Sequence, residues 1–269
     1  MKSVKLELYC VTNQEETYLE NTNLHLAGVG KKSFSNKYLS CNNGNNIFYK
    51  EEYYSELTFH YWYWKNKLDI KNKNWIGFCQ RRRHWILRES IDKTITKNNL
   101  SKHIIQFPEP DWNNFESIIC EPISVNPVKK IKIFKRGWRS LIKDPAILFI
   151  KKKQNLLLHF DMHHGHGNLK KTIKYLKKED QEDFLNFVST STKFNPHIMY
   201  IAKSNTLNNW FIDLFAWLNK CEDLFSKNNL KNYDTKRIFA FLAERYASFW
   251  FKKYTNFKEH PWVFIDPST

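Results

Sequence analysis

The segment 161–167 holds the densest group of side chains that could carry out chemistry. It reads Asp-Met-His-His-Gly-His-Gly, so that Asp161, His163 and His166 lie close together. A carboxylate beside imidazoles can bind a divalent cation such as Mn2+ or Mg2+, contact a sugar, or act as a general base. Gly165 and Gly167 permit tight turns and a close approach of substrate. The alternative is an ordinary turn whose histidines are exposed or bonded to the backbone.

A second group is the cationic run Arg81-Arg82-Arg83-His84, which Gln80 separates from the apolar segment Trp75–Cys79. Arginine binds phosphate oxygens in a bidentate manner, so an arginine cluster at a strand end could hold a diphosphate. We therefore predict that Arg82, Arg83 and His84 contact a nucleotide diphosphate. The alternative is a basic patch on the surface, the usual role of a charge run.

Polar residues in the N-terminal part form a third group. The alternating run Val4–Val11 leads into a polar loop, which is the usual opening of a nucleotide-binding α/β sheet. The loop Asn42–Asn46 could hold ribose or phosphate, although asparagine–glycine stretches are more often plain turns. The predicted ribose or phosphate contacts in these segments are Thr12, Asn13, Asn45, Asn46 and Glu56.

The pair Glu244–Arg245 lies within an otherwise apolar helical pattern near the C-terminus. Glu244 could be a site carboxylate that accepts a proton. From the spacing alone, a buried salt bridge between the two side chains is the more common arrangement.

Strands and helices must position these groups. Periodicity and turn residues predict strands at Val4–Val11, Trp75–Cys79, Ile131–Phe134, Ala146–Ile150 and Leu156–Phe160, with a short element at Ser117–Cys120. They predict helices at Tyr53–Asn66, Asn168–Lys177, Gln181–Val188, Thr206–Phe225 and Tyr233–Tyr254. Strands that alternate with helices, with helices gathered at the end, indicate an α/β domain with a helical C-terminal subdomain.

Composition narrows the classes of protein. The 269 residues are 16% aromatic and contain only 7 glycines, which favours a compact fold over a disordered or fibrous chain. The formal net charge of +16 attracts anions: nucleic acid, an acidic membrane surface or a diphosphate substrate. Charge alone does not choose among these three partners.

Cysteine usage and hydropathy indicate a cytoplasmic location. The five cysteines are odd in number and never in a Cys-x-x-Cys pair, so reduced thiols are expected rather than disulfides or a zinc ribbon. The first residues lack an apolar signal-peptide core, and no apolar run is long enough to cross a bilayer. We therefore expect a cytoplasmic protein, with peripheral contact at the inner face of the membrane left open.

Common catalytic signatures are absent from the sequence. It contains no P-loop, no Gly-x-Gly-x-x-Gly, no Gly-x-Ser-x-Gly and no Asp-x-Asp after a strand. An enzyme that uses a nucleotide-sugar would therefore hold a metal through Asp161 and its histidines, or neutralise the leaving diphosphate with arginine alone.

Four blocks resemble a bacterial glycosyltransferase family that carries an uncharacterised domain and is associated with exopolysaccharide and capsular polysaccharide synthesis. The blocks are Asn45–Asn66, Trp75–Trp85, Phe194–Met199 and Arg237–Arg245. They are similar to the family's Cys-Glu-Leu-Thr and Trp-Lys-Asn stretch, His-Tyr-Arg-Arg-Tyr-Phe, Phe-Asn-Met-Phe-Ile-Met and Arg-Val-Phe-Gly-Phe-Leu-Ser-Glu-Arg. Their order along the chain is also the same.

The resemblance implies a GT-A-like fold with one Rossmann-type sheet, formed by a single domain over residues 1–269. Residues 1–165 would be mainly the nucleotide-sugar-binding part, and residues 166–269 the mainly helical acceptor-side part, to which Asn195 and His197 would belong. The implied activity is transfer of a hexose, with galactose, including its furanose form, as one donor sugar. A UDP-sugar is the leading donor, and a glycan or polyprenyl-linked molecule the acceptor.

The sequence departs from the family pattern at two places. The loop Asn42–Asn46 lacks the acid of the family's Asn-Thr-Gly-Asp-Asn, which weakens any metal role there. Arg82 and Arg83 match the paired family arginines, but their flanking residues do not. The segment 161–167 matches no family motif.

The expected mechanism has Arg82 and Arg83 stabilising the departing diphosphate, with Asp161 or Glu244 accepting the acceptor's proton. Two other functions remain as alternatives: a basic nucleic-acid-binding protein, which lacks a known motif, and a metal-dependent hydrolase built on 161–166, which lacks further ligands. The stripe in Trp210–Phe225 is expected in the core, with insertion into a membrane interface as the alternative.

Overall fold

The computed structural model describes residues 4–225, 230 and 233–266, and its centre is a mixed β-sheet. The strands are β1 (Leu6–Thr12), β2 (His25–Gly28), β3 (Tyr38–Ser40), β4 (Trp75–Gln80), β5 (Arg83–Trp85), β6 (Ser117–Cys120), β7 (Ile123–Ser124), β8 (Lys193–Phe194), β9 (Tyr200–Lys203), β10 (Phe257–His260) and β11 (Trp262–Phe264). The helices are α1 (Thr17–Glu20), α2 (Glu51–Tyr54), α3 (Leu57–Asn66), α4 (Lys130–Arg136), α5 (Trp138–Lys143), α6 (Leu156–His164), α7 (Asn168–Ile173), α8 (Lys178–Thr190), α9 (Ser204–Cys221), α10 (Tyr233–Lys236) and α11 (Ile238–Tyr254).

The main sheet is largely parallel. Its strands follow the order β10-β6-β9-β4-β1-β2-β3, and β5 joins β4 to β11 at one end. The pairs β1–β2, β1–β4, β2–β3 and β6–β10 are parallel, whereas β9 runs antiparallel to both β4 and β6. A parallel sheet needs cover on both faces, which explains the continuous apolar run of β4.

Alternation along β1 divides its side chains between two apolar layers. Leu8 and Cys10 belong to a core cluster on one face, together with Trp75 of β4. Tyr9 points the other way, with its ring centroid 4.8 Å from that of Tyr63 in α3 and 6.0 Å from that of Phe78 in β4. Successive side chains of β1 therefore pack in opposite layers of the sheet. The aromatic residues of α3 fill the layer that contains Tyr9.

The antiparallel strand β9 packs closely against β4 at Gly77. Gly77 pairs with Ile201, and a Cβ atom built on Gly77 would lie 2.6 Å from Ile201 Cγ1 and 2.6 Å from Leu8 Cδ2. Real Cβ contacts are not this short, so a larger residue at this position would displace β9 or β1.

The chain forms two compact units. The first comprises residues 1–121, 197–212 and 250–269, and includes the main sheet; the second comprises residues 122–196 and 213–249. The second unit has its own small core of Ile133, Ile147, Leu158 and Met162. The expectation of one domain over residues 1–269, divided near residue 165, stays a prediction.

Several predicted elements are confirmed. The strands at Val4–Val11 and Trp75–Cys79 correspond to β1 and β4, and the short element at Ser117–Cys120 is β6. The helix predicted at Gln181–Val188 lies within α8. The segment Tyr53–Asn66 is helical but is interrupted at Ser55, whose φ of 53° separates α2 from α3.

Three predicted strands are wrong. Ile131–Phe134 lies in α4, Ala146–Ile150 begins in a 3-10 turn, and Leu156–Phe160 opens α6. Short apolar runs do not distinguish a strand from a buried helix. The side chain of Asn155 accepts a hydrogen bond from the amide of Leu158 at 2.9 Å, so an N-cap signal was present before α6.

The C-terminal third contains strands that the helical pattern did not predict. Strands β9, β10 and β11 all belong to the main sheet. The apolar stripe of the predicted helix Thr206–Phe225 is buried in α9, which confirms its predicted position in the core. The alternative, insertion of this stripe into a membrane interface, is therefore wrong. In the described part of the chain, no helix combines the length and apolar character needed to cross a membrane. All five cysteines are buried free thiols.

We expect Gly77→Val to lower the free energy of unfolding by about 1–3 kcal/mol, because the new side chain overpacks the contact with Ile201 and Leu8. Urea denaturation measures this loss. Ser40→Val places the same side chain on an exposed position of β3 and is the control. An unchanged urea midpoint for Gly77→Val would show that β9 can move away from β4 without cost.

Stability should fall as the pH drops from about 6.5 towards about 4, the range between the unfolded and folded pKa values of buried histidines. Burial lowers the pKa of four imidazoles: His60 to about 3, His84 to about 4, His159 to about 3 and His260 to about 4. The unfolded chain therefore binds more protons than the folded chain in this range. The raised pKa of Asp161 acts in the opposite direction but is a single group.

Urea titrations at pH 7.5 and pH 5 compare the free energy of unfolding across this window. Equal stability of the unaltered protein at the two pH values would contradict the burial of neutral histidines.

Candidate active site

The carboxyl ends of three parallel strands meet at one edge of the main sheet. Thr12 of β1 pairs with Gly28 of β2, and Val11 pairs with Gln80 of β4. Because β9 runs antiparallel to β4, the segment that precedes β9 also reaches this edge. The carboxyl edge of such a sheet is the usual position of a ligand in α/β proteins.

Arg81 anchors the turn after β4 to β1. Its amide donates a hydrogen bond to the carbonyl of Val11 at 3.3 Å, and its guanidinium lies 3.4 Å from the carboxylate of Glu16. The hydroxyl of Tyr18 donates to the carbonyl of Arg81. These contacts fix the backbone of the turn, so that the position of the next two arginines is well defined.

Arg82 and Arg83 lie side by side against β11. Their guanidinium carbons are 4.6 Å and 5.4 Å from the ring centroid of Phe264, and Arg82 is 3.5 Å from the carboxylate of Asp266. Both arginines are half-buried, and Nε of Arg82 is buried without a hydrogen-bond partner among the described residues. A half-buried pair of guanidinium groups held beside an aromatic ring is suited to bind an oxyanion.

Gln80 connects Arg83 to His197. The Gln80 side chain accepts a hydrogen bond from Arg83 Nη1 at 3.3 Å and donates one to the carbonyl of His197 at 2.7 Å. His197 and Ile198 have positive φ values of 76° and 54°, and the His197 ring packs edge-on against Trp262 at 4.7 Å. Two consecutive residues in the left-handed region are strained, a feature that clusters at functional sites. The predicted acceptor-side residue His197 is therefore brought close to the predicted donor-binding residue Arg83.

His84 does not share this environment. It is fully buried, and its Nε2 lies 3.1 Å from the carbonyl of Arg81. Burial lowers its pKa to about 4, which keeps the imidazole neutral at physiological pH. Its placement argues against the predicted contact with a diphosphate and indicates a role in fixing the turn.

The asparagine loop is held by its own side chains. Asn45 donates its amide to Asn66 Oδ1 at 3.0 Å, and the side chain of Asn46 donates to the carbonyl of Gly44 at 3.0 Å. Gly44 has a φ of 58°, as the turn requires. These bonds support the plain-turn interpretation and leave fewer groups for ribose or phosphate.

The remaining predicted donor contacts are placed as follows. The hydroxyl of buried Thr12 donates to the carbonyl of Gln14 at 2.5 Å, whereas Asn13 is exposed at the sheet edge. Glu56 is half-buried and accepts a hydrogen bond from the hydroxyl of Ser55. Asn13 is therefore the member of this group that is most accessible to a ligand.

In the second unit, Asp161 lies in the last turn of α6 rather than at the end of a strand. Its Oδ1 accepts a hydrogen bond from the amide of Gly167 at 2.9 Å, and its Oδ2 is 3.0 Å from Nδ1 of His166. Ser140 contacts the same ring nitrogen at 3.3 Å. Burial raises the pKa of the Asp161 carboxyl. Through these contacts Asp161 stabilises the turn that joins α6 to α7.

A separate polar cluster surrounds Arg245 in the same unit. Arg245 is buried, pairs with Glu244, and lies 3.1 Å from Nδ1 of His159 and 3.9 Å from the ring centroid of Phe194. Burial and, to a smaller extent, the adjacent positive charge of Arg245 lower the pKa of His159 to about 3. The buried salt bridge that the spacing of Glu244 and Arg245 favoured is therefore present.

His163 and Asn195 both have partners within this unit. His163 lies 3.2 Å from Arg136, and its ring centroid is 4.7 Å from that of His159. Asn195 is buried and exchanges two hydrogen bonds with Ser248, at 3.0 Å and 2.8 Å. The side chain of Asn195 is therefore not accessible to an acceptor in this structure, which argues against the predicted contact.

The proposed metal ligands do not form a suitable cation site. Asp161 and His166 satisfy each other, while His163 adjoins the guanidinium of Arg136, which would repel a cation. Within residues 4–225, 230 and 233–266, the one set of three potential ligands within 4.8 Å of each other is Cys10, Cys79 and His84. Buried thiols and imidazole do not suit Mg2+ or Mn2+, which prefer oxygen ligands.

The sequence interpretation missed Gln80, Trp262 and Phe264. Gln80 is the last residue of β4, so its position at a strand end was an available signal. Trp262 and Phe264 lie in β11, which the sequence analysis did not predict, and their contacts with His197 and the arginines depend on tertiary structure.

Residues 7–256 match the family described as Domain of unknown function (DUF4422). The chain belongs to the DUF4422 family. No curated protein matches the chain.

The DUF4422 chain is similar to the apo structure of WbbM, which is described as a bifunctional glycosyltransferase. The TM-score is 0.67 at 19% sequence identity, and the match covers 97% of this chain and 45% of the WbbM chain. The chain thus spans less than half the length of WbbM. The likeness confirms the predicted α/β, GT-A-like fold.

We expect Asp161→Asn to lower the free energy of unfolding by about 1–3 kcal/mol, because it weakens the bond to Gly167 and the pair with His166. A double-mutant cycle with His166→Gln, measured by urea denaturation, should show coupling between the two residues. Lost turnover with unchanged stability would contradict the structural role of Asp161 in this turn and would support Asp161 as the proton acceptor.

Proposed function

We propose that this DUF4422 protein is a glycosyltransferase that moves a hexose from a nucleotide-sugar to a glycan or lipid-linked acceptor. The observation that carries the proposal is the half-buried pair Arg82–Arg83 at the carboxyl edge of β4, in a GT-A-like sheet. The family resemblance and the fold shared with WbbM, a bifunctional glycosyltransferase, support the same reaction class.

The arginine pair supplies the chemistry that the reaction needs at the leaving group. Cleavage of the bond between sugar and nucleotide leaves a diphosphate with increasing negative charge. Guanidinium groups held in place before the reaction stabilise this charge more effectively than mobile ones. Phe264 packs on both guanidinium groups and Gln80 holds Arg83, so the pair is preorganised.

His197 would contact the sugar or the acceptor beside this diphosphate. Gln80 holds the carbonyl of His197 at 2.7 Å, and Trp262 supports its ring. The strained backbone at His197 and Ile198 fixes the direction of the side chain. Aromatic rings such as that of Trp262 also provide a flat apolar face against which a sugar can pack.

We assign the neutralisation of the diphosphate to arginine in preference to a metal at 161–166. The carboxylate of Asp161 is already bound within its own turn, so this segment offers few free ligands. A contribution from Mn2+ or Mg2+ remains a separate prediction, tested by adding each cation. The prediction that Asp161 or Glu244 accepts the proton is not part of this proposal, because Asp161 bonds within its own turn and Glu244 pairs with Arg245.

The donor and pathway follow from the family resemblance. A UDP-sugar is the leading donor, with galactose or its furanose form as the transferred sugar. The product would be a capsular, exopolysaccharide or lipopolysaccharide chain, which is assembled at the inner face of the cytoplasmic membrane.

Nucleic-acid binding at Arg81–Trp85 is less well supported. Trp85 is fully buried, and its indole N–H donates to the carbonyl of Phe78 at 3.0 Å, so it cannot stack on a base. A metal-dependent hydrolase is likewise not favoured, because the side chains of the segment 161–166 do not form a set of three potential metal ligands within 4.8 Å of one another.

A thermal-shift screen against UDP, GDP, CMP and dTDP, each with and without Mn2+, tests the proposed function. We expect one nucleotide to raise the melting temperature. Arg82→Ala and Arg83→Ala should each weaken its binding by about tenfold or more, the loss typical of one charge-assisted contact.

Arg139→Ala removes an exposed arginine of the second unit and should leave nucleotide affinity unchanged. Arg83→Lys should restore part of the binding, because charge is kept but the bidentate geometry is lost. If both alanine variants bound the nucleotide as strongly as the unaltered protein, the assignment of the diphosphate to this pair would be contradicted.

A further inference from the structure

The segment 129–153 differs from the rest of the described surface in its exposed apolar side chains. It contains α4, α5 and the two 3-10 turns that follow. Six of the fourteen exposed large apolar residues of the described chain lie in it: Ile131, Phe134, Trp138, Ile142, Phe149 and Ile150. Ile142 and Phe149 are 72% and 74% exposed. Such a concentration of apolar side chains marks an interaction surface.

The exposed residues lie at helical spacing. Ile131 and Phe134 are three residues apart in α4, and Trp138 and Ile142 are four apart in α5. The amide of Gly137 donates to the carbonyl of Ile133 at 2.8 Å, and helical bonding continues into α5. Residues three or four apart share a face of a helix, so each helix presents an apolar stripe to solvent.

The opposite side of the segment packs into the second unit. Ile133 and Ile147 are buried against Leu158 and Met162 of α6, with Leu141 partly buried beside them. The exposed side chains therefore do not belong to an unfolded piece of chain. They project from elements that are held in place by a core.

The same segment carries a large excess of positive charge. It contains ten lysines and arginines and a single acid, Asp144, so nine of the sixteen excess positive charges of the protein lie in 25 residues. Nine of the ten basic residues are exposed. Asp144 pairs with Lys153 at 2.6 Å.

Cations stand beside the exposed aromatic rings. Lys130 Nζ lies 5.3 Å from the centroid of Phe149, and the guanidinium of Arg139 lies 5.3 Å from that of Trp138. This arrangement allows an aromatic ring to enter the apolar boundary of a bilayer while its cationic neighbour reaches the lipid headgroups.

We propose that the segment 129–153 binds the surface of an anionic lipid bilayer, with Ile131, Phe134, Trp138 and Ile142 inserted at the headgroup boundary. Apolar stripes bordered by lysine and arginine are the features that interfacial helices use, and anionic lipids supply the complementary charge. This surface is separate from the arginine pair of the first unit, and its binding to lipid does not require catalysis.

Flotation of the full chain with vesicles tests this surface. The protein should bind vesicles that mix phosphatidylcholine with phosphatidylglycerol, bind phosphatidylcholine alone weakly, and detach as salt rises. Lys130→Glu/Lys132→Glu should reduce the partition coefficient by about thirtyfold or more, since each cation near the surface contributes to attraction. Phe134→Ser/Trp138→Ser should reduce it by more than about tenfold.

Matched controls separate this surface from general charge and apolarity. Lys71→Glu/Lys73→Glu reverses two exposed lysines at the same spacing, and Tyr49→Ser/Phe107→Ser removes two rings that are 79% and 75% exposed. Both controls should bind vesicles like the unaltered protein. All variants should retain the circular dichroism spectrum and nucleotide-induced thermal shift of the unaltered protein, which distinguishes a lipid defect from failure of the proposed function.

Three results would overturn the proposal. The first is equal binding of the segment variants and the controls to anionic vesicles. The second is tight binding of short oligonucleotides through these residues without binding to vesicles. The third is self-association that Phe134→Ser/Trp138→Ser abolishes, again without binding to vesicles, which would identify a second copy of the chain as the occupant.

Discussion

The close packing of β9 against β4 at Gly77 is the constraint on which the candidate active site depends. Gly77 leaves room for Ile201, and the antiparallel course of β9 brings its first residues to the carboxyl edge of β4. The side-chain amide of Gln80 can then donate a hydrogen bond to the His197 carbonyl through its nitrogen and accept one from Arg83 through its oxygen. A small residue in the middle of one strand therefore determines where two functional side chains meet.

The sequence predicted the fold where its signals were local and repeated. Alternation identified β1, the apolar run identified β4, and the three-to-four spacing identified α8. It failed where short apolar runs were compatible with two structures, as at Leu156–Phe160, which is a helix started by the side chain of Asn155. It also missed β9 to β11, because these short strands form only through pairing with distant parts of the chain.

The same distinction applies to the candidate active site. Arg82 and Arg83 were recognisable from residue type and position after an apolar run. Their partners Phe264 and Asp266 lie far along the chain, and no spacing rule relates them. Asp161 shows the opposite case: a cluster of acid and histidines that suggested catalysis has its main contacts inside a turn.

The positive charge of the protein divides between two physical roles. A small part lies at the arginine pair, where half-buried guanidinium groups are directed at a strand edge. A larger part lies in the segment 129–153, where it borders exposed apolar side chains. Net charge summed over the whole chain could not separate these roles, because they differ in burial and neighbours rather than in number.

Hydrogen–deuterium exchange in the presence of a nucleoside diphosphate would locate the donor on the protein. The ligand would be whichever of UDP, GDP and dTDP stabilises the protein most. We expect slower amide exchange in the peptides that contain residues 80–84 and 197–199, with little change at 159–167. Protection confined to 159–167, or no protection by any of the three diphosphates, would contradict the placement of the donor at Arg82 and Arg83.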